Sequence, residues 1–319
     1  MRIGPAAGRT GYHHEALCYG SDEELLAVVV PFLLGGVEAG EPTFVALGER
    51  TGGLVRRALP ADAKVEFLTG GDIYARPAVA IRTYRRLLAD LTSGGAAQIR
   101  IIGEVPRIAL GPTWDWWARY EAAINRAYDD WPLWSMCAYD TRSTPEAVRA
   151  DVCVTHPYLV TPDGRCRPNA DYLAPETFLR QQRPVPPDPI QASPPLVDLL
   201  GPSAGQARAA VQHASRGLLP QDEFDDFLVA VSEIVTNGLR HGQPPVRFRL
   251  WVGTDRVVAT VSDSGTGPDD PYAGLLPSGA GEVGGLGLWI THQSCNHVTH
   301  YRDADGFTLR LTAGRPPAG

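Results

Sequence analysis

Lysine is nearly absent from this chain. Lys64 is the only one in 319 residues, so almost all of the 29 basic side chains are arginine. Any site for anions must therefore use arginine, backbone N–H groups or a metal ion. A basic stripe is missing as well. With 36 acidic residues the formal net charge is -7, which argues against a broad nucleic-acid surface. No run of 18 apolar residues occurs, so no membrane-spanning helix is expected. The opening MRIGPAAGRTGYHHE has no apolar core of the signal-peptide kind. The five cysteines (Cys18, Cys137, Cys153, Cys166 and Cys295) form no CxxC pair and read as reduced thiols of a cytoplasmic protein. No internal repeat is visible. There is no GxxxxGK(S/T) loop, and Lys64 sits in no glycine loop, so a P-loop ATPase is not expected.

What remains is an ordinary globular composition, 44% hydrophobic and 20% charged, long enough for two domains. The seam falls in QQRPVPPDPIQASPP, residues 181–195. Proline this dense prevents helix and ladder formation and favours an extended spacer. Residues 1–180 and 196–319 are expected to form the two domains. In the first, SDEELLAVVVPFLLGGVEAG reads as a helix capped at Ser21. PTFVALG, KVEFLTG, QIRIIGEV and PLWSMCAYD read as strands, with helices TGGLVRRAL, PAVAIRTYRRLLADLTSG and WDWWARYEAAINRAYDD between them. This alternation predicts a three-layer α/β domain with a mostly parallel sheet. The second part opens with two helices. VRFRLWVG and RVVATVSDSG follow as strands of period two. A glycine-rich loop, the helix LGLWITHQSC and two more strands complete a two-layer α/β sandwich.

SEIVTNGLRHG, residues 232–242, carries Glu233, Asn237 and His241 at four-residue intervals, which puts Glu233 and Asn237 one turn apart on one helix face. An Asn oxygen is a hard ligand suited to Mg2+ between phosphates, and a neighbouring Glu can orient or deprotonate a nucleophile. In VSDSGTGP a strand delivers Asp263 at its end, while Gly265 and Gly267 turn the backbone away. A carboxylate there can accept a hydrogen bond from an exocyclic amine such as that of adenine. In GEVGGLGLWI, Gly284, Gly285 and Gly287 lead into a helix near Leu286, and N–H groups at a helix start form an anion site. Each element alone also fits a blander reading: a strand-exit turn, a loop–helix junction, a solvated helix face. The chain order of all three carries the sharper one.

These residues resemble the three nucleotide boxes of the GHKL ATPase superfamily, with its Bergerat-type ATP-binding fold. Within it, AVSEIVTNGLRHG and GGLGLWI look most like the serine-kinase anti-sigma factors of partner-switching stress and sporulation control. The resemblance covers residues 204–312. It implies ATP and Mg2+ as cofactors, with Asn237 as the Mg2+ ligand. Glu233 would be the base for phosphoryl transfer to a serine of an antagonist. Asp263, supported by Thr308, would bind the adenine amine. Gly265 and Gly267, and Gly284, Gly285, Leu286, Gly287 and Leu288, would shape the nucleotide pocket and hold the phosphates. Arg240 and His241 would lie near the nucleotide; solvent exposure for the first and helix capping for the second are the alternatives. The implied partners are a sigma factor and a STAS-type anti-anti-sigma protein, in a serine/threonine kinase acting in transcription control, and a homodimer is a common form of such modules. The sequence departs from the pattern in loop 268–283, which has no cationic residue; where some members carry Arg, Glu282 and Val283 precede Gly284. Phosphoryl transfer depends on charge stabilisation, so the departure bears on transfer more than on binding. A non-catalytic ATP-binding partner switch stays open as the alternative, and an ATP-dependent sensor with another output as a third reading. His213 lies in a helix without a dimerisation hairpin, which counts against a histidine kinase.

YHHEALCYGSDEELLAVVVPFLLGGVEAGE and WSMCAYDTR, with a following His-Pro, resemble the MEDS sensory domain over residues 11–159. The resemblance does not say what is sensed. His13, His14, Tyr19, Glu104, Arg107, Tyr139 and His156 are the candidate ligand residues. His13, His14 and Cys18 have a spacing that suits metal ligands on one helix face, but no fourth ligand is evident, and packed or hydrogen-bonded histidines are the stronger expectation. Trp114, Trp116, Trp117, Trp131 and Trp134 read as core and interaction surface, or as an aromatic pocket.

Overall fold

The computed structural model describes residues 10–68, 76–277, 286–303 and 306–315. The chain divides into two compact units. The first is built mainly from residues up to Leu179 and the second from Arg180 onward, with Gly111–Trp116 counted in the second.

The first unit is built on a seven-stranded sheet. Its strands are β1 (His13–Tyr19), β2 (Thr43–Ala46), β3 (Glu66–Phe67), β4 (Ile99–Gly103), β5 (Leu133–Asp140), β6 (Tyr158–Val160) and β7 (Cys166–Pro168), in the order β3-β2-β4-β5-β1-β6-β7. All neighbours are parallel except β6 and β7. Helices α1 (Asp22–Glu38), α2 (Glu49–Ala58), α3 (Pro77–Ser93), α4 (Trp114–Ala127) and α5 (Glu146–Thr155) make the connections, and α6 (Pro175–Leu179) follows β7. The start of α1 is the expected one: Ser21 accepts from Glu24 N at 3.2 Å, and Asp22, Glu23 and Glu24 fill the positive end of the helix. Leu25, Val28, Val29, Phe32 and Leu33 then pack against Leu17 and Tyr19 of β1 and Trp134, Met136 and Ala138 of β5. Of the tryptophans, Trp134 is thus core. Covered strands of this kind read as near-continuous apolar runs.

β1 removes the helix-face metal alternative for His13, His14 and Cys18. Residues 13–19 form a strand and not a helix, so His13 and His14 point to opposite faces of the sheet. They cannot be neighbouring ligands of one metal with Cys18.

One ion pair is buried at the edge of this core. Arg100 Nε lies 2.5 Å from Glu41 Oε2, its Nη1 donates to Phe32 O at 2.7 Å, and the guanidinium stacks 4.4 Å from the Trp134 ring centre. A lysine keeps the charge and loses the fork and the stacking. Arg100→Lys is expected to cost about 1–2 kcal/mol of stability, read as a lower denaturant midpoint.

The second unit has a five-stranded antiparallel sheet of β8 (Val197–Leu200), β9 (Arg247–Val252), β10 (Arg256–Asp263), β11 (His297–Asp303) and β12 (Gly306–Gly314), ordered β11-β12-β10-β9-β8. Helices α7 (Ala204–Ser215), α8 (Gln221–His241) and α9 (Leu286–Ser294) form the second layer. The edge strand β8 lies just beyond the proline-rich stretch, where no strand was expected. On α8 the buried residues Phe224, Phe227, Leu228, Val231, Ile234, Val235 and Gly238 recur at helical spacing. They meet Phe248, Leu250, Val257, Ala259, Val261, Phe307, Leu309 and Leu311 of the sheet. The proline-rich segment is not a free spacer. Asp188 caps a short 3-10 turn, Pro189–Ala192, and binds Arg256 at 3.0 Å, while Arg310 Nη1 donates to Pro186 O at 2.7 Å. Among the described residues no helix is long and apolar enough to cross a membrane.

Candidate functional site

In the second unit the C-terminal half of α8, the end of β10 and the start of α9 surround a cavity of about 570 Å³, well within the range of small-ligand sites. Ile234, Asn237, Gly238 and His241 line it from α8, Val261 and Asp263 from β10, Leu288 from α9, and Phe307 and Leu309 from β12. The floor is apolar and the polar groups converge from its rim.

Asp263 is fixed by the backbone that follows it. Its Oδ1 accepts from Gly265 N at 2.8 Å and from Gln243 N at 3.1 Å. The side chain is only 8% exposed, and Oδ2 has no hydrogen-bond partner among the described residues. A held carboxylate with one oxygen spare is an acceptor for an amine donor on an apolar ring. Gly267 has φ +70 and lies against the Phe307 ring, where a Cβ would collide; this is why the turn after Asp263 needs glycine.

Glu233 and Asn237 are half-buried on α8. Both face Gly287 in the first turn of α9. A Cβ there would run into Glu233 Oε2 and stand 3.3 Å from Asn237 Nδ2. Glycine therefore lets the N-terminal turn of α9, with its unpaired N–H groups, come up against a carboxylate and an amide.

The first unit has a cavity of about 380 Å³ at the C-terminal ends of β2, β4 and β5, lined by Arg50, Thr51, Glu104, Arg107 and Asp140 among others. Ligands of open α/β sheets bind at such strand ends. Glu104 also caps α2, accepting from Gly48 N at 3.1 Å and from the Thr51 hydroxyl.

Comparison with known proteins separates the same two parts. Residues 13–157 match the MEDS family, the methanogen/methylotroph, DcmR sensory domain, and residues 202–313 match the histidine kinase-like ATPase domain. The chain is a MEDS domain joined to a GHKL-like ATPase domain. No curated protein matches it. Solved structures similar to it include the RsbU and RsbW domains of Rv1364c from Mycobacterium tuberculosis, 22% identical over 39% of this chain and 34% of that one, with a TM-score of 0.28. The chain thus spans about a third of that protein's length. The histidine kinase domain of the E. coli osmosensor EnvZ is 16% identical over 40% of this chain and 93% of that one, at a TM-score of 0.24. The cytoplasmic domain of EssC is 13% identical over 54% and 34%, at 0.28.

Within the ATPase domain, Glu233, Asn237, His241, Asp263, Gly265, Gly267, Gly287 and Leu288 all gather around the cavity or its rim. Gly284 and Gly285 lie outside the described residues. Leu286 is 57% exposed. Arg240 is exposed at the end of α8 and is not among the lining residues. Thr308 needs correction. It pairs with Ser262, and its hydroxyl donates to Ser262 Oγ at 2.9 Å on the sheet face away from α8. Strand alternation gives the cavity its neighbour Phe307 instead. Asp269 and Asp270 also line the cavity and were missed, since nothing in their spacing marks them. Among the described lining residues there is no Lys or Arg.

Within the MEDS domain the seven candidates separate into groups. Glu104 and Arg107 line the strand-end cavity, and Tyr19 is wholly buried beneath, its phenol pushed up by burial and then by the nearby Glu104 and Asp140 charges. His14, Tyr139 and His156 meet elsewhere, around Glu121 of α4 and Cys137 of β5. Burial pushes the Glu121 carboxyl up to about 7 and the His156 imidazole down to about 4. Glu121 escaped the sequence reading. The signal was available: it is a charged residue among the apolar positions of an amphipathic helix.

Proposed function

We propose that the ATPase domain binds Mg-ATP between Asp263 and the start of α9, sequesters a sigma factor, and phosphorylates a serine of an anti-anti-sigma antagonist. The MEDS domain biases that switch through a ligand at its strand ends. The observation that supports this best is the conjunction of a held Asp263 with a spare oxygen and a Glu233–Asn237 pair against Gly287. Asp263 orients the adenine through its amine. Asn237 holds the Mg2+ through its amide oxygen, and Glu233 takes the proton of the attacking serine hydroxyl. When bound, Mg-ATP supplies the phosphoryl group and the positive charge that the described lining residues lack.

That lining, with Asp263, Asp269 and Asp270 and no cation among the described residues, repels a bare triphosphate. Chelating Mg2+ is expected to weaken ATP binding about 10-fold or more, roughly 1.4 kcal/mol, with adenosine binding unaffected. Calorimetry with each ligand, with and without chelator, measures this.

The same acidic rim supports a second reading, in which ATP is a structural ligand and regulation runs through protein contact alone. Transfer to a cognate antagonist separates the two. Phosphoserine that forms with wild type and vanishes with Asn237→Ala supports the kinase. Antagonist-driven release that survives Asn237→Ala without phosphate transfer supports the non-catalytic switch. Proteins co-purifying with the chain, identified by mass, test the sigma-factor assignment.

A further inference from the structure

Beneath the sheet of the MEDS domain, well inside its fold, four side chains from four elements turn toward one point. His14 comes from β1, Glu121 from α4, Cys137 from β5 and His156 from the end of α5; one donor atom from each lies within 4.8 Å of all the others. Three of the four side chains are at most 1% exposed. We propose that His14 Nε2, Glu121 Oε2, Cys137 Sγ and His156 Nε2 form a four-coordinate site for a divalent transition metal of the zinc class.

The hydrogen bonds around the cluster select the donor atoms. Asn125 Nδ2 donates to three backbone carbonyls, Glu121 O at 3.0 Å, Ala122 O at 3.2 Å and Thr155 O at 2.9 Å. Carbonyls only accept, so the amide nitrogen is committed to them and Asn125 Oδ1 must face His14. His14 Nδ1, 3.0 Å away, is then the protonated nitrogen, which leaves the Nε2 lone pair for the cluster. The same logic holds for His156. Its Nδ1 donates to Val152 O at 2.9 Å, and its Nε2 is buried with no hydrogen-bond partner among the described residues. Tyr139 donates to Glu121 Oε1 at 2.9 Å and turns the other carboxylate oxygen inward. Histidines locked by their outer nitrogen and a carboxylate locked by its outer oxygen are the usual support of a metal centre.

The spacings come close to those of a bound ion. His14 Nε2 is 3.4 Å from Cys137 Sγ and 3.7 Å from Glu121 Oε2; Glu121 Oε2 is 3.5 Å from His156 Nε2 and 3.9 Å from Cys137 Sγ. Donors on a tetrahedral zinc stand about 3.3–3.6 Å apart, as bonds of about 2.0–2.3 Å require; the 3.4 and 3.5 Å spacings fall in that range, and the 3.7 and 3.9 Å ones close by a few tenths of an ångström on a bound ion. One thiolate and one carboxylate balance a divalent charge, and two neutral imidazoles complete the set. Sulfur and nitrogen donors select a borderline metal over Mg2+ or Ca2+. On the opposite face of β1, His13, Glu15 and Cys166 form a lesser group with only three donors among the described residues. The four-donor site does not depend on the reading of the ATPase domain.

The test uses the full chain, stripped with a chelator, dialysed and titrated with Co2+ as a coloured stand-in for Zn2+. One equivalent is expected to bind, with thiolate-to-cobalt charge transfer in the near ultraviolet and the strong visible bands of tetrahedral cobalt, both erased by Zn2+. Cys137→Ser is expected to abolish the charge-transfer band, and His156→Gln to lower affinity more than about 100-fold. Asn125→Ala, which touches no metal, is expected to weaken binding about 10–100-fold. Cys153→Ser, an exposed thiol, leaves the spectrum unchanged. Near-ultraviolet circular dichroism checks that each variant is folded; should His156→Gln not fold, the near-isosteric Cys137→Ser decides. Folded wild-type protein that binds no stoichiometric cobalt, or a charge-transfer band that survives in Cys137→Ser, overturns the proposal.

Discussion

Asp263→Asn is expected to lower adenosine and ATP affinity about 100-fold, close to 3 kcal/mol, with the ATPase domain still folded. The size follows from the way the carboxylate is held. Oδ1 already serves Gly265 N and Gln243 N, two donors that an asparagine must still satisfy with its single oxygen. The amide nitrogen is then forced into the place of Oδ2 and presents a donor to the adenine amine, itself a donor. A charge-assisted bond becomes a donor–donor clash inside a mostly apolar cavity. Isothermal calorimetry measures the affinity, and the thermal midpoint of the variant, expected close to wild type, shows that the fold is kept. An affinity within about threefold of wild type would remove Asp263 from the adenine site.

If the proposed kinase reading holds, Gly287→Ala is expected to slow phosphoryl transfer about 100-fold or more, the usual scale of a displaced general base, and to leave adenosine affinity unchanged. The added methyl group meets Glu233 Oε2 first. That atom is the free end of a flexible side chain, so the carboxylate swings away at little cost in stability. Its position is what is lost, and displacement by about 1 Å is enough to spoil proton transfer. Asp263 lies on β10, away from this contact, which is why adenosine binding reports the intact half of the site. Single-turnover transfer to the antagonist, measured beside adenosine calorimetry, gives both readings. Equal, measurable rates for Gly287→Ala and wild type would take Glu233 out of the chemistry, whereas no transfer by the wild type itself would favour the non-catalytic switch.

These predictions rest on residues that the sequence already exposed, and other parts of the site show where that stops. Glu233 and Asn237 were legible because a helix maps spacing onto a face, and both belong to one helix. Asp263 and its glycines were legible because a strand end and a turn are local. Thr308 was misjudged for the converse reason. Whether a strand residue faces the cavity depends on register, and a one-residue shift reverses the face. His13 and His14 are packed, as expected, but the helix-face metal alternative used the wrong period: in a helix they share a neighbourhood, whereas in a strand they part. Strand β8 went unseen because its four residues pair only with β9, from which a loop and two helices separate it in the chain.

The sequence by itself determined the two-part organisation, the alternating α/β character of the first part and, in the second, the chain order of the Glu-Asn helix face, the Asp-Gly turn and the glycine-led helix. Each of these is written in residues close together, where helix and strand periods and glycine-bearing turns act directly. Only the tertiary structure decided that Phe307 and not Thr308 meets the cavity, that acidic residues rim it, and that His14, Glu121, Cys137 and His156 share one buried point. Those four are spread across more than a hundred residues of chain. Parallel pairing of β1 with β5 and the packing of α4 and α5 beneath them bring the donors together, and such long-range pairing leaves no mark in local spacing.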